Sequence, residues 1–486
     1  MSSPVPKETA TVAMDSTVAG CDHGDRGGAT VHLVMFPWLG FGHIGPFTQV
    51  ARKLVTGGKG GIRVTFLMPA ANIPRVEAML ASSAAVVTIV PLHLPHVPGL
   101  PAGAESTHEI SQEGQELLKA ALDGTKPQVA ALLAELRPDA VLIDFATPWV
   151  CDVAAPLGVK VIYFSIFAAI AFAYITIPAR RLHGPRVSVQ DLMSAPDGFP
   201  PDSSLATVPT YQAADFTFAF TSFHGKPCVF DRVMAGLEGC AGFVMKTCPE
   251  MEGPYIDYIS SQLGKPVLLA GPVVPEPPQG ELEERWTRWL SSFPDNAVVY
   301  AAFGSETFLT ADEATELLLG LEATNRPFLV VLNVPKGPDA EAELRARIPA
   351  GFEERVKGRG AVHTGWVQQQ HILRHRSVGC FVTHVALSSV VEGLVAGCRL
   401  VLLPMKGDQY PNAALFEHEL RVGVEVPRRD EDGWFGRDDV SKAVDAAMAD
   451  GGEREAKKWR EFLTDDAMQK RYTDQFIREL KDLIKA

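Results

Sequence analysis

The feature that most restricts the fold is a recurring alternation. Short, wholly apolar runs are separated by stretches of helical spacing, broken once by a proline-rich segment, and then resumed. Val31–Phe36 and residues 63–68, 86–92, 140–145 and 159–164 read as buried strands. Residues 46–55 and Ile73–Leu80 have helical spacing. Apolar runs without polar alternation suit strands covered on both faces, as in parallel sheets packed between helices. Residues 264–280 (GKPVLLAGPVVPEPPQG) cannot be helix or central strand from Pro272 onward and read as a linker. The plan then restarts. Strands are expected at 297–303, Phe328–Leu332, 361–363, Val378–Thr383, 400–403 and 422–426, with helical character returning at Glu453–Leu463 and 472–485. The expected organisation is a disordered tail over 1–30, an α/β half over 31–263, the linker 264–280, a second α/β half over 281–462, and a closing helix over 463–486. A chain of 486 residues is long enough for two cores. Ligands of open parallel sheets sit beyond the carboxyl ends of the strands, so chemistry is expected just after each strand.

Several classes drop out on composition. The net charge of −13 offers no basic stripe to offset phosphates, so no nucleic-acid partner is expected. Seven cysteines, with no CxxC pair, form neither a disulfide framework nor a zinc site. They read as reduced, buried small hydrophobes of a cytoplasmic protein. Residues 161–177 (VIYFSIFAAIAFAYITI) resemble a membrane span, but the run is short and carries Tyr163, Ser165, Tyr174 and Thr176. A strand followed by a helix starting near Ser165 is the expected arrangement.

The first strand runs into Pro37-Trp38-Leu39-Gly40-Phe41-Gly42-His43-Ile44-Gly45-Pro46. Gly40, Gly42 and Gly45 spell GxGxxG, a dinucleotide signal. That fold also wants a carboxylate at the end of its second strand, where this chain has Leu67-Met68-Pro69. A nicotinamide-dependent oxidoreductase is therefore a minor reading. His43, exposed at a loop-to-helix junction in the expected crevice, is either a proton acceptor for an alcohol or an inert helix-start residue. Asp144 ends an apolar strand, where a carboxylate needs a partner. It either holds the His43 ring or caps the next helix. No GxSxG elbow is present, which leaves a serine triad without its nucleophile.

The richest segment runs from Trp366 to Gln409 (WVQQQHILRHRSVGCFVTHVALSSVVEGLVAGCRLVLLPMKGDQ). Trp366 offers a flat face for a base. A strand ends at His384, and a helix opens through Val385-Ala386-Leu387-Ser388-Ser389. Free N–H groups and the positive dipole end there suit phosphates. Glu392 lies about one turn on, placed to take ribose hydroxyls. Asp408 and Gln409 follow the next strand, where polar groups can read a sugar.

This segment resembles the signature box of plant secondary-product UDP-glycosyltransferases (family 1), in length and in nearly all anchor positions. The resemblance covers essentially the whole chain after the tail. It implies two facing Rossmann-like, doubly wound α/β domains of the GT-B fold, with the acceptor on the first half and the UDP-sugar on the second. By matching position, Trp366 stacks on uracil and the Val367 backbone bonds to the base. Gln369 and Glu392 hold the ribose. His384, Ser388, Ser389 and Ser305 contact the diphosphate, and Asp408 and Gln409 hold the transferred sugar. His43 matches the catalytic base and Asp144 its orienting acid. The resemblance further implies inversion at the anomeric carbon, no metal, and no cofactor beyond the UDP-sugar co-substrate. PWLGFGHIGPF, MEGPYIDYI, LAGPVVPEPP, FGSETFL and DGWFGRDDV are similar to the branch that extends flavonoid and anthocyanin 3-O-glycosides with glucose, xylose or rhamnose. The expected partners are thus a UDP-sugar and a small hydroxylated glycoside, bound by a monomer with no membrane span.

The chain departs from the family at His384-Val385-Ala386-Leu387-Ser388-Ser389, where His-Cys-Gly-Trp-Asn-Ser is usual. Ala386 adds a methyl close to phosphate, Leu387 lacks an aromatic ring, and Ser388 is shorter than the amide. A catalytically silent UDP-sugar-binding relative is the alternative these departures raise. Asp430-Glu431-Asp432 spells the DxD metal signature of other glycosyltransferases but lies in a charged turn and reads as solvated surface. His363, His371 and His375 lack the acidic partner of a HExxH site and read as surface or capping residues. Phe145, Phe167, Phe172 and Tyr174 are candidates for an acceptor pocket, with ordinary core as the other reading.

Overall fold

The computed structural model describes residues 30–57, 61–80, 87–110, 114–334, 340–449 and 453–486. Residues 1–29 of the expected tail, Cys21 and Val86 lie outside the described residues. Two parallel sheets carry the fold. The first has seven strands: β1 (Val31–Phe36), β2 (Ile62–Pro69), β3 (Val87–Leu92), β4 (Ala140–Ile143), β5 (Lys160–Ser165), β6 (Gly242–Met245) and β7 (Val267–Leu269). Their spatial order is β3-β2-β1-β4-β5-β6-β7. The second has six: β8 (Val298–Ala302), β9 (Phe328–Leu332), β10 (Gly360–Thr364), β11 (Val378–Thr383), β12 (Arg399–Leu402) and β13 (Gly423–Glu425), in the order β10-β9-β8-β11-β12-β13. The central strands β1, β4, β8 and β11 are buried along their length, in keeping with their mostly apolar sequences.

In each sheet the strand order reverses once, between β1 and β4 and between β8 and β11. Connections leave to opposite sides there and open a crevice at the carboxyl ends. The registers bring those ends level, with Phe36 beside Ile143 and Ala302 beside Thr383. His43 and Asp144 therefore follow one switch point, and Ser305 and His384 the other.

Four local expectations need correction. Strand β7 occupies 267–269, inside the segment expected to be linker, because Leu268 and its neighbours pair with β6 and extend the first sheet. The helix after β1 begins at Phe41, not Pro46, so His43 stands in its first turn rather than in a loop. Pro46 is the sixth residue of this helix and lies inside it, where it removes one intrahelical N–H donor. In the segment resembling a membrane span, the helix begins at Ala169 rather than Ser165. No described helix is long and apolar enough to cross a membrane. The last helix runs Asp466–Lys485, starting between the closing-helix boundary expected at 463 and the helical character expected from 472.

That helix packs on the first sheet. Phe476, Ile477 and Leu480 share a buried core with Leu33, Met35, Val64 and Phe66 of β1 and β2. Lys160 Nζ donates to the Leu483 carbonyl at 2.9 Å. The other face of the first sheet and one face of the second meet in a continuous apolar cluster that includes Val34, Phe145, Tyr300 and Phe381. The six described cysteines are all free, and five of them are buried.

Candidate active site

His43 and Asp144 form a contact. The imidazole Nδ1 lies 2.8 Å from Asp144 Oδ2. The same oxygen accepts the Trp38 backbone N–H at 2.7 Å, and Oδ1 accepts from Ala146 N at 3.1 Å. Asp144 is only 2% exposed, so its charge is held by these donors rather than by water. Because a carboxylate only accepts, Nδ1 must carry the hydrogen and Nε2 keeps its lone pair. Phe145 and Phe167 flank the imidazole at ring separations of 5.4 and 6.0 Å. Phe172 and Tyr174, the other two acceptor-pocket candidates, lie buried in the core. Phe172 packs on Phe243, and Tyr174 is fully buried against Phe199 and Phe216 with its hydroxyl on the Leu192 carbonyl. Their helix is buried on all sides, which sequence spacing alone does not reveal.

On the second half, Trp366 projects from the end of β10 with 70% of its surface exposed, while the neighbouring Val367 side chain is buried. Gln369 donates to Glu392 Oε2 at 2.7 Å and accepts from the Tyr300 hydroxyl at 3.3 Å. Burial pushes the Glu392 carboxyl above its usual range. His384 is buried beneath the loop after β8. Burial, reinforced by the Lys406 charge, pulls its pKa down to about 4. The ring is therefore neutral near neutral pH and offers an N–H rather than a charge. Gly304 has φ +68°, and a Cβ there would lie 2.7 Å from His384 Nε2, so only glycine lets the loop cross this ring. Ser305 follows it, exposed.

Helix Leu387–Ala396 begins directly after His384-Val385-Ala386. Ala386 has an ordinary φ of −61°, so the expected crowding by its methyl carries no backbone strain. The strain sits one residue earlier: Val385, a β-branched residue, has φ +67°. Its carbonyl accepts from Asn412 Nδ2 at 2.9 Å, and its N–H donates to Thr383 Oγ1 at 3.3 Å. Asn412 also donates to Asp408 Oδ2 at 3.2 Å, tying the two loops together. Replacing Asn412 by alanine should leave a buried carbonyl unpaired and cost about 1–3 kcal/mol, read as a lower denaturant midpoint.

Gln409 Oε1 accepts from the backbone N–H groups of Met405 and Lys406 at 2.8 and 3.1 Å and so shapes the loop before it. Burial raises the Asp408 carboxyl, opposed by Asn412, by Lys246 and by His43. That last influence crosses the cleft, since His43 belongs to the first half and Asp408 to the second. Polar contacts hold the halves together around it. Gly407 N donates to Asp215 Oδ2 at 2.5 Å, and Thr107 bonds to Glu306, against which Gly40 packs closely. The first glycine of the GxGxxG pattern thus makes room for the opposite half. Ser388 Oγ lies 3.2 Å from Lys246 Nζ, a residue at the end of β6 that motif reading missed. The rule that found Asp144, an ionisable residue ending an apolar strand, would have found it too.

The DxD candidate is a turn: Asp432 pairs with Arg429 and accepts from the Trp434 N–H at 3.0 Å. Among the described residues no group of three or more His, Cys, Asp or Glu is arranged to hold a metal ion.

Comparison with known proteins bears on this two-sided cleft. The family described as UDP-glucoronosyl and UDP-glucosyl transferase matches residues 278–451. An anthocyanidin-3-O-glucoside rhamnosyltransferase of Petunia hybrida is 48% identical over 463 residues, covering 94% of this chain and 97% of its own. The chain belongs to the plant family 1 UDP-glycosyltransferases. A second relative of this glycosyltransferase is the cyanidin 3-O-galactoside 2''-O-xylosyltransferase of Actinidia chinensis var. chinensis, 42% identical over 94% of this chain and 100% of its own. Among solved structures, Arabidopsis thaliana UGT89C1 complexed with UDP-L-rhamnose aligns with TM-score 0.72 and 25% identity, over 94% of this chain and 100% of its own. The glycosyltransferase has the GT-B fold, and the nicotinamide reading of Gly40–Gly45 falls with that membership.

Proposed function

We propose that this enzyme transfers a sugar from a UDP-sugar to a hydroxyl of a small flavonoid-type glycoside, with inversion at the anomeric carbon. The observation that carries this reading is the His43–Asp144 pair facing Asp408 across the cleft. His43 Nε2, left with its lone pair by the Nδ1–Asp144 contact, takes the proton from the acceptor hydroxyl. The oxygen attacks the anomeric carbon from the face opposite the leaving group, the glycosidic bond to phosphate breaks, and UDP departs with the electron pair. In this reading the N-terminus of helix Leu387–Ala396 with Ser388 and Ser389, the neutral His384, and Ser305 receive the growing negative charge. Trp366 stacks on uracil, the Val367 backbone bonds to it, and Gln369 with Glu392 holds the ribose. Asp408 and Gln409 hold the sugar, and Phe145 and Phe167 line the acceptor side. The glycoside class is supported by the Petunia and Actinidia relatives, whose names give anthocyanin 3-O-glycosides as acceptors.

The test is mass spectrometry of reactions pairing several UDP-sugars with flavonoid aglycones and their 3-O-glycosides. A product heavier by one sugar should form on a glycoside and not on its aglycone. Transfer to aglycones alone would overturn the acceptor class, and absence of any transfer product would favour a silent relative. Trp366 provides a separate check on the donor side. Its replacement by alanine should weaken UDP binding by about 1–3 kcal/mol in calorimetry, the usual worth of a base stacked on an aromatic ring.

A further inference from the structure

Lys246 directly follows β6 in the first half, yet its ammonium reaches the second half and donates to Ser388 Oγ at 3.2 Å. The residue is only 6% exposed. An ammonium has three donors, and Ser388 is its one hydrogen-bond acceptor among the described residues. No carboxylate lies within ion-pair distance of it there. The two acids that face it are committed elsewhere. Glu252 accepts from the Thr247 hydroxyl and from Ile170 N at 3.0 Å, and Asp408 accepts from Asn412. A buried, underpaired cation is costly unless an anion completes its shell. Burial accordingly pulls its pKa down to about 8, against the pull of Asp408 and Glu252. The ammonium is aimed at the first turn of helix Leu387–Ala396, where orphan N–H groups already favour an anion. Ser388 is also the position where the family usually carries a longer amide, so its short hydroxyl leaves room for the lysine to enter.

We propose that Lys246 is a donor-binding residue contributed by the first half, contacting the diphosphate of the UDP-sugar beside Ser388. This rests on the UDP-sugar reading above. The lysine charge then serves the leaving group, and the two halves grip the donor from both sides. The missing amide of the helix turn is replaced in function by a cation from the opposite half.

The experiment compares UDP with uridine, which shares the base and ribose but carries no phosphate. Binding of each to the full chain is measured by calorimetry for the wild type, Lys246→Met and Lys246→Arg. Methionine keeps the apolar stem, and arginine keeps the charge. Lys246→Met should weaken UDP about ten- to hundred-fold, the range for a hydrogen bond to a charged group, and leave uridine unchanged. Lys246→Arg should recover part of the loss. In the wild type, the UDP-to-uridine affinity ratio should fall as pH rises through about 8, where the unliganded lysine loses its proton. This arm needs no variant. An unchanged ratio in Lys246→Met, or a flat wild-type ratio across that range, would overturn the proposal. Failure of wild-type protein to bind uridine or UDP at all would instead strike the donor reading on which it rests.

Discussion

Replacing His43 by alanine should lower kcat by roughly 10²–10⁴-fold, the contribution usual for a positioned general base, while UDP affinity stays at the wild-type value. The two readouts separate because the imidazole and the proposed nucleotide site lie on opposite halves. The fold should tolerate the change. His43 is half-buried on a helix whose anchoring residues, Ile44, Phe47 and Val50, are untouched. Asp144 would still accept from the Trp38 and Ala146 N–H groups, so no buried charge is stranded. Steady-state kinetics with a saturating glycoside, alongside calorimetry with UDP, checks both halves of the expectation. Turnover near that of the wild type would remove His43 from the mechanism.

The second large effect belongs to Asp144→Asn, which should act on rate and stability together. Three donors converge on this carboxylate: the Trp38 N–H, the Ala146 N–H and His43 Nδ1. An amide has one accepting oxygen and presents two hydrogens on the other side, so at least one of these donors must face another donor. The buried mismatch should cost about 1–3 kcal/mol of stability, seen as a lower melting temperature. If the amide instead turns its hydrogens toward the imidazole, Nδ1 becomes the acceptor and Nε2 takes the proton. That is the wrong tautomer for removing a proton from the acceptor. A rate loss of roughly 10²–10⁴-fold should follow, with glycoside KM much less affected. A lower melting point with undiminished kcat would show that Asp144 is a structural anchor and not an orienting group.

The fold was legible because its physics is local. Val31–Phe36 and Val378–Thr383 are buried on every residue and apolar but for His32 and Thr383, the pattern of strands covered on both faces. The His43–Asp144 contact was legible for a related reason, since both residues follow strands that adjoin at a switch point. What escaped were effects set by packing between distant segments. Val267–Leu269 looks like linker until β6 supplies its partner. Tyr174 looks available until Phe199, Phe216 and the Leu192 carbonyl enclose it. Val385 gives no sign in sequence that it must adopt a left-handed backbone, because the residues that hold it, Thr383 and Asn412, come from a strand end and a later helix. Lys246 carries a local signal, an ionisable residue closing an apolar run, but its partner Ser388 lies on the other half of the chain.

The closing helix imposes an order on biogenesis. Phe476, Ile477 and Leu480 complete the apolar layer over β1 and β2, strands made long before them. Their final partners are translated long after them, so this sheet must wait, partly uncovered, until the helix Asp466–Lys485 emerges. Domains generally fold as units, the N-terminal one first, and transiently bared hydrophobic surface favours aggregation. In this chain the usual sequence is inverted for one layer of the first half, and a ribosome that stalls before Phe476 releases a product in which β1 and β2 were never sealed.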